Sequence, residues 1–176
     1  PVVNPTALFR KSTVEKHGSY HHGNFPEDYE LWLRWLEAGV KFHKINEYQL
    51  SWRDSQNRLT RTDERYSQKA FYKIKSEYLY KWLQENNPFH PKVAIWGAGR
   101  KSAQRLKYLL QKGVEVEFFI DVVKDKRSNT LHYENTPAPG NHFILSYLRN
   151  LGDRDLISGF LSETKHVEGR DFLFIA

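Results

Sequence analysis

The chain has 176 residues, with 27 Lys and Arg against 21 Asp and Glu, and contains neither Cys nor Met. That length holds one medium domain or two small ones. The absence of Cys excludes structural disulfides, thiolate zinc sites, iron–sulfur clusters and a Cys nucleophile. No apolar run approaches the roughly 20 residues that a membrane span needs, and no charged lead followed by an apolar stretch opens the chain. With Pro1 first and an apolar, strand-like start, the chain reads as a piece of a longer protein. The formal charge of +6 is spread evenly, at 14 basic and 11 acidic residues over 1–91 and 13 and 10 over 92–176. No nucleic-acid partner is therefore expected. The densest basic tract, Arg100 to Lys107, alternates with the apolar positions of a helix and reads as a solvated face.

In chain order, His17, His21 and His22 fall beside Gly18 and Gly23, in a pattern that reads as a mobile polar loop rather than a metal site. The segment from Phe25 to Gly39 is a helix. Pro26 suits the helix start, Glu27, Asp28 and Glu30 place negative charge in the first turn where the helix dipole favours it, and Gly39 suits the end. Leu31, Trp32, Trp35 and Leu36 form its apolar stripe, with Glu30 and Arg34 paired at i,i+4 on another face. From composition alone, Glu27 and Asp28 are either dipole-stabilising acids or chemistry. Between Val40 and Trp52, the alternation of Phe42, Ile45, Tyr48, Leu50 and Trp52 around Asn46 reads as extended segments with a bend. Thr60 or Thr62 then caps a helix whose stripe is Tyr66, Ala70, Phe71, Ile74, Tyr78 and Trp82.

The run from Gln84 to Pro91, with two prolines and two asparagines, ends that helix and marks a boundary between domains 1–88 and 89–176. Beyond it, Lys92–Trp96 is an apolar strand leading into Gly97-Ala98-Gly99. A helix to Gly113 and a strand from Val114 to Asp121 follow, a β-α-β unit with parallel neighbours. After a loop containing Pro137 and Pro139 come a strand at 142–148, a helix at 153–163 and a last strand at 171–175. This alternation predicts an α/β fold, a small doubly wound parallel sheet. Gly97, Gly99 and Ser102 stand where G-x-G-x-x-G has its glycines, and Asp121 lies at the tip of the next strand. The spacing makes these four residues candidates for holding a nucleotide, with phosphate at the helix start and ribose at the acid. A purely structural turn is the alternative.

Asn4 to Ser12, Gly18-Ser19-Tyr20, Glu27 to Arg34, Gly39-Val40 and Trp52-Arg53 together resemble the acceptor-side half of a bacterial family-2 glycosyltransferase. The resemblance implies a partial GT-A subdomain and inverting transfer from a nucleotide-sugar donor to a saccharide acceptor in surface polysaccharide synthesis. It assigns Asp28 as general base and Glu27 as supporting acid, with Trp32, Arg34, Trp52 and Arg53 near substrate. The family binds Mg²⁺ or Mn²⁺ through a D-x-D pair on an N-terminal half, so a divalent metal is expected in a full-length enzyme and none is assigned in this chain. The one D-x-D here, Asp153-Arg154-Asp155, reads as helix capping, and Asp54 follows Arg53 where the family often has His. This chain alone is accordingly expected to transfer no sugar. Residues 92–176, through Ile95-Trp96-Gly97-Ala98-Gly99, Phe119-Ile120-Asp121 and Gly169 to Phe174, are similar to the Rossmann-like domain of bacterial sugar acyltransferases. That likeness implies nucleotide-sugar recognition, and its non-catalytic form, a binding module, is the competing function. A cytoplasmic protein, in possible peripheral contact with the inner membrane surface, is the implied setting.

Overall fold

A computed structural model describes residues 4–51, 53, 55–123 and 127–175. The chain divides into two compact units, Pro1–Leu79 and Tyr80–Ala176.

The described residues of the first unit are helical or irregular, without a strand. A 3₁₀ turn at Asn4–Thr6 precedes helix α1 (Lys11–His17), and α2 spans Glu27–Glu37. Helix α2 begins where Pro26 predicts, with three acids in its first turn. Leu31, Trp32 and Trp35 are buried, packed by Ala7, Val14 and Val40. Phe9 meets both indoles edge-on, with ring centroids 6.0 Å from Trp32 and 5.1 Å from Trp35.

Two segments depart from the expected elements. The alternating segment from Val40 does bend, at Glu47, but its described residues enter no ladder. Phe42, Ile45, Tyr48 and Leu50 are all exposed. Nor does a single helix run from Thr60 to Trp82. A short helix α3 (Leu59–Thr62) and a 3₁₀ turn (Glu64–Tyr66) come first, and α4 occupies Gln68–Asn86. The break comes from two polar side chains that outcompete the helix ladder. Asp63 leaves helical geometry and accepts the Arg65 N–H at 2.9 Å, and Ser67 Oγ accepts the Ala70 N–H at 3.2 Å, so Ser67 caps α4 rather than either threonine.

The second unit is α/β and Rossmann-like. Strands β1 (Lys92–Trp96), β2 (Glu115–Asp121), β3 (Thr130–His132), β4 (Ile144–Ser146) and β5 (Phe172–Phe174) form one sheet in the order β3-β2-β1-β4-β5. Every pairing is parallel, with Trp96 opposite both Ile120 and Ser146. Helix α5 (Arg100–Leu110) connects β1 to β2, and α6 (Leu151–Glu163) connects β4 to β5. Successive connections leave β1 in opposite directions, which puts the topological switch point between β1 and β4. Ala94, Trp96, Ile120, Ile144 and Phe172 pack with Ile157 and Leu161 of α6 in one apolar cluster. Strand β3 was not anticipated, and β4 is shorter than expected. Asn150, not Asp153, caps α6, its side chain accepting the Gly152 N–H at 3.2 Å.

At the other edge of the sheet two imidazoles are buried side by side. His142 and His166 are nearly inaccessible, their centroids 6.2 Å apart, and both Nε2 atoms lack a hydrogen-bond partner. Burial pushes both pKa values down, and at His142 the charge of His166 adds to this against the opposing pull of Glu117 and Asp171. Above the ordinary histidine pKa of 6.5 both rings are neutral, folded or unfolded, and stability does not depend on them. Below it the unfolded chain takes up protons first, so the folded state loses stability as pH falls. Urea unfolding followed between pH 7.5 and 5 should show the second unit weakening with acid, and His142→Phe should flatten that slope; an unchanged slope would remove the pair as its source.

Candidate functional site

The sequence-predicted carboxylates lie together at the start of α2. Asp28 is half-buried and Oδ1 accepts the N–H of Tyr29 at 2.7 Å. Among the described residues no cation pairs with it. Burial raises its pKa above the usual 3.8, and the neighbouring Glu27 charge pushes the same way. A carboxylate so placed holds its proton more readily than a solvated aspartate, which suits proton exchange with a hydroxyl.

Glu27 takes a different part. Both of its oxygens lie 2.6 Å from the Tyr66 hydroxyl, which donates to them and has its own pKa pushed up to about 12 by burial and by that hydrogen bond. Tyr20, whose hydroxyl donates to Asn4 Oδ1 at 2.8 Å, also feels the charges of Asp28 and Glu27. Asn4, Tyr20 and Tyr66 therefore join the two acids in one polar group. Neither tyrosine was foreseen, because Tyr66 is 39 positions from Glu27 and its spacing reads as part of a helix stripe.

Below this group lies a rigid support. Glu30 is buried rather than solvated, and it accepts from Arg34 Nε at 3.0 Å and the Tyr78 hydroxyl at 2.7 Å. Those partners hold its pKa below the usual carboxylate value although burial alone would raise it. Arg34 reaches onward to the carbonyls of His17 and Ser19, and Trp35 Nε1 donates to that of Gly18 at 3.2 Å. The histidine-glycine segment, expected to be mobile, is thus fastened to α2, with His21 Nδ1 3.5 Å from Glu30. These contacts place Arg34 in the scaffold, away from a free role at a phosphate. Trp32 is likewise buried, with its ring edge-on to Phe9, Trp35 and Phe42, and presents no open face to a sugar. Arg53 is exposed, and Trp52 lies outside the described residues.

In the second unit, Gly97 and Ser102 meet in the turn after β1, and Asp121, at the end of β2, accepts from the Ala98 amide between Gly97 and Gly99. Gly97 has φ +103°, and a Cβ there would fall 2.9 Å from Ser102 Oγ and 3.1 Å from Leu148, so glycine is required. Gly99 has an ordinary φ of −73° and needs no such freedom. Asp121 is buried, with Oδ2 accepting the Ala98 N–H at 2.9 Å and Oδ1 the Val123 N–H at 3.2 Å. Arg127 Nε closes the turn from above, donating to the Ala98 carbonyl at 2.5 Å. The acid expected at a ribose thus ties down its own loop, and the Ala98 amide is already engaged.

No family model, curated protein or solved structure matches this chain. Function rests on its own residues. Among the described residues no three His, Asp or Glu side chains are grouped to hold a metal ion. Among them, too, no helix is long and apolar enough to cross a membrane.

Proposed function

We propose that the first unit is the acceptor side of an inverting glycosyltransferase of the family-2 type, with Asp28 as its general base. The observation that supports this is the state of Asp28: partly desolvated, with raised proton affinity and no cation beside it among the described residues. In the proposed reaction a saccharide hydroxyl approaches Asp28 and passes its proton to the carboxylate as its oxygen bonds to the anomeric carbon. The bond from that carbon to the nucleoside diphosphate breaks, and the leaving group carries away the electron pair. Glu27, fixed by Tyr66, lies next to Asp28, and its charge raises the basicity of Asp28. Tyr20 offers a hydroxyl beside the same group. The donor is a nucleotide-activated sugar, the acceptor a saccharide of a surface polysaccharide, and such a donor implies a cytoplasmic setting.

A carboxyl-detected NMR titration of the 176-residue chain, with Asp28 assigned by comparison with Asp28→Asn, tests the basis of this reading. Its midpoint should lie above 3.8, and saccharide acceptors should shift its resonance. A midpoint at or below 3.8 with no response to any saccharide would remove the ground for the assignment.

A further inference from the structure

We propose that the carboxyl-terminal edge of the parallel sheet is a docking surface for an anionic phospholipid bilayer. The strand register brings three loops to this edge, because Trp96 of β1 is level with Ile120 of β2 and Ser146 of β4. Two of the loops, those after β1 and β2, are also bonded together, through Asp121 to Ala98 and Arg127 to the Ala98 carbonyl. The three loops expose aliphatic side chains that the fold does not bury: Val122 is 67% accessible, Val123 53% and Leu151 76%. Exposed cations interleave with them, Arg100 and Lys101 opening α5 and Arg149 preceding α6. Among the described residues the opposing charge is limited: the Asp121 carboxylate is buried and accepts two amides, Asp153 and Asp155 lie near the start of α6, and Glu134, after β3, is 3.1 Å from His132. The first turn of α5 holds no acid, so its N-terminal dipole adds to the positive field.

Single exposed aliphatics are ordinary on a protein surface, but aliphatics and cations mixed on one edge match the two layers of a lipid interface. Aliphatic side chains enter the acyl boundary while Arg and Lys stay at the phosphates. Other anionic occupants match less well. Single-stranded nucleic acid binds by stacking on aromatic rings, and no exposed aromatic stands among the described residues of this edge. A free phosphate would leave the exposed aliphatic side chains of Val122, Val123 and Leu151 without a partner.

Co-sedimentation of the 176-residue chain with vesicles of phosphatidylcholine, with and without phosphatidylglycerol, tests the proposal. Binding should require phosphatidylglycerol and weaken with added salt. Val122→Ser/Val123→Ser/Leu151→Ser and, separately, Arg100→Gln/Lys101→Gln/Arg149→Gln should each lower the partition coefficient on the order of tenfold or more. Circular dichroism should show both variants folded, since all six side chains are exposed. Lys69→Gln/Lys73→Gln, exposed cations of the first unit, serve as the control and should bind as the parent does. The proposal is overturned by equal binding to neutral vesicles, by equal loss in the control, or by no loss in either edge variant. An oligonucleotide that binds where vesicles do not, or a dimer in solution that the aliphatic variant dissolves, would likewise give the edge to another occupant.

Discussion

Replacing Arg34 by methionine should destabilise the first unit by about 3–5 kcal/mol at neutral pH, the cost typical of leaving one member of a buried ion pair without its partner. Glu30 would stay buried with only the Tyr78 hydroxyl and His21 near its charge. The carbonyls of His17 and Ser19 would also lose their donor. In the parent protein the Glu30 pKa is depressed, so its contribution is present above the unfolded carboxylate value of 4.5 and is lost as pH falls through the folded value. In the variant the buried acid is disfavoured when charged, and the deficit should narrow as acid protonates it. Urea unfolding followed by the fluorescence of Trp32 and Trp35 at pH 7 and pH 4 measures both effects. A loss below about 1 kcal/mol would class the pair with surface salt bridges and refute its role as the anchor of the 17–23 segment.

Asp28→Asn should remove catalysis without removing the fold. In a polypeptide that carries this unit together with a donor-binding half, kcat should fall by about 10² to 10⁴, the usual worth of a positioned general base. Donor affinity should stay the same, because the amide keeps the size and position of the acid. Stability should hold or rise: a carboxyl whose folded pKa is raised is strained by its charge at neutral pH, and that strain is relieved as pH falls through the folded value. Asparagine carries no such charge. Activity lost while stability is kept distinguishes chemistry from architecture, whereas Arg34→Met is expected to do the reverse. Unchanged turnover in the Asn variant would end the assignment of Asp28 as base.

The second unit was largely legible because its signals are local. An unbroken apolar run from Val93 to Trp96 ending at a glycine specifies a buried strand and its turn, and α5 and β2 follow within one β-α-β unit. Strand β3 is only three half-buried residues, too short for a period to show. The first helix of the candidate site was equally plain, since Pro26 and three acids mark its start. What surrounds it was not. Glu30 looked like half of a surface pair because i,i+4 spacing shows Arg34 but says nothing of Tyr78, 48 positions away, or of the carbonyls at 17 and 19. The stripe from Tyr66 to Trp82 satisfied helical spacing across a break that Asp63 and Ser67 impose by local hydrogen bonds. Periodicity reports which face is apolar; it does not report which polar groups meet across the chain.

The stretch from Phe42 to Leu50 carries a consequence for handling the protein. It exposes Phe42, Ile45, Tyr48 and Leu50 in an extended stretch whose described residues join no sheet, and Tyr48 is fully open to water. Such a segment is the natural seed for chains to zip onto one another at high concentration. Lys41, Lys44 and Glu47 interrupt it with charge, the kind of spacing that holds neighbouring copies apart, so raising ionic strength or neutralising those lysines weakens the protection.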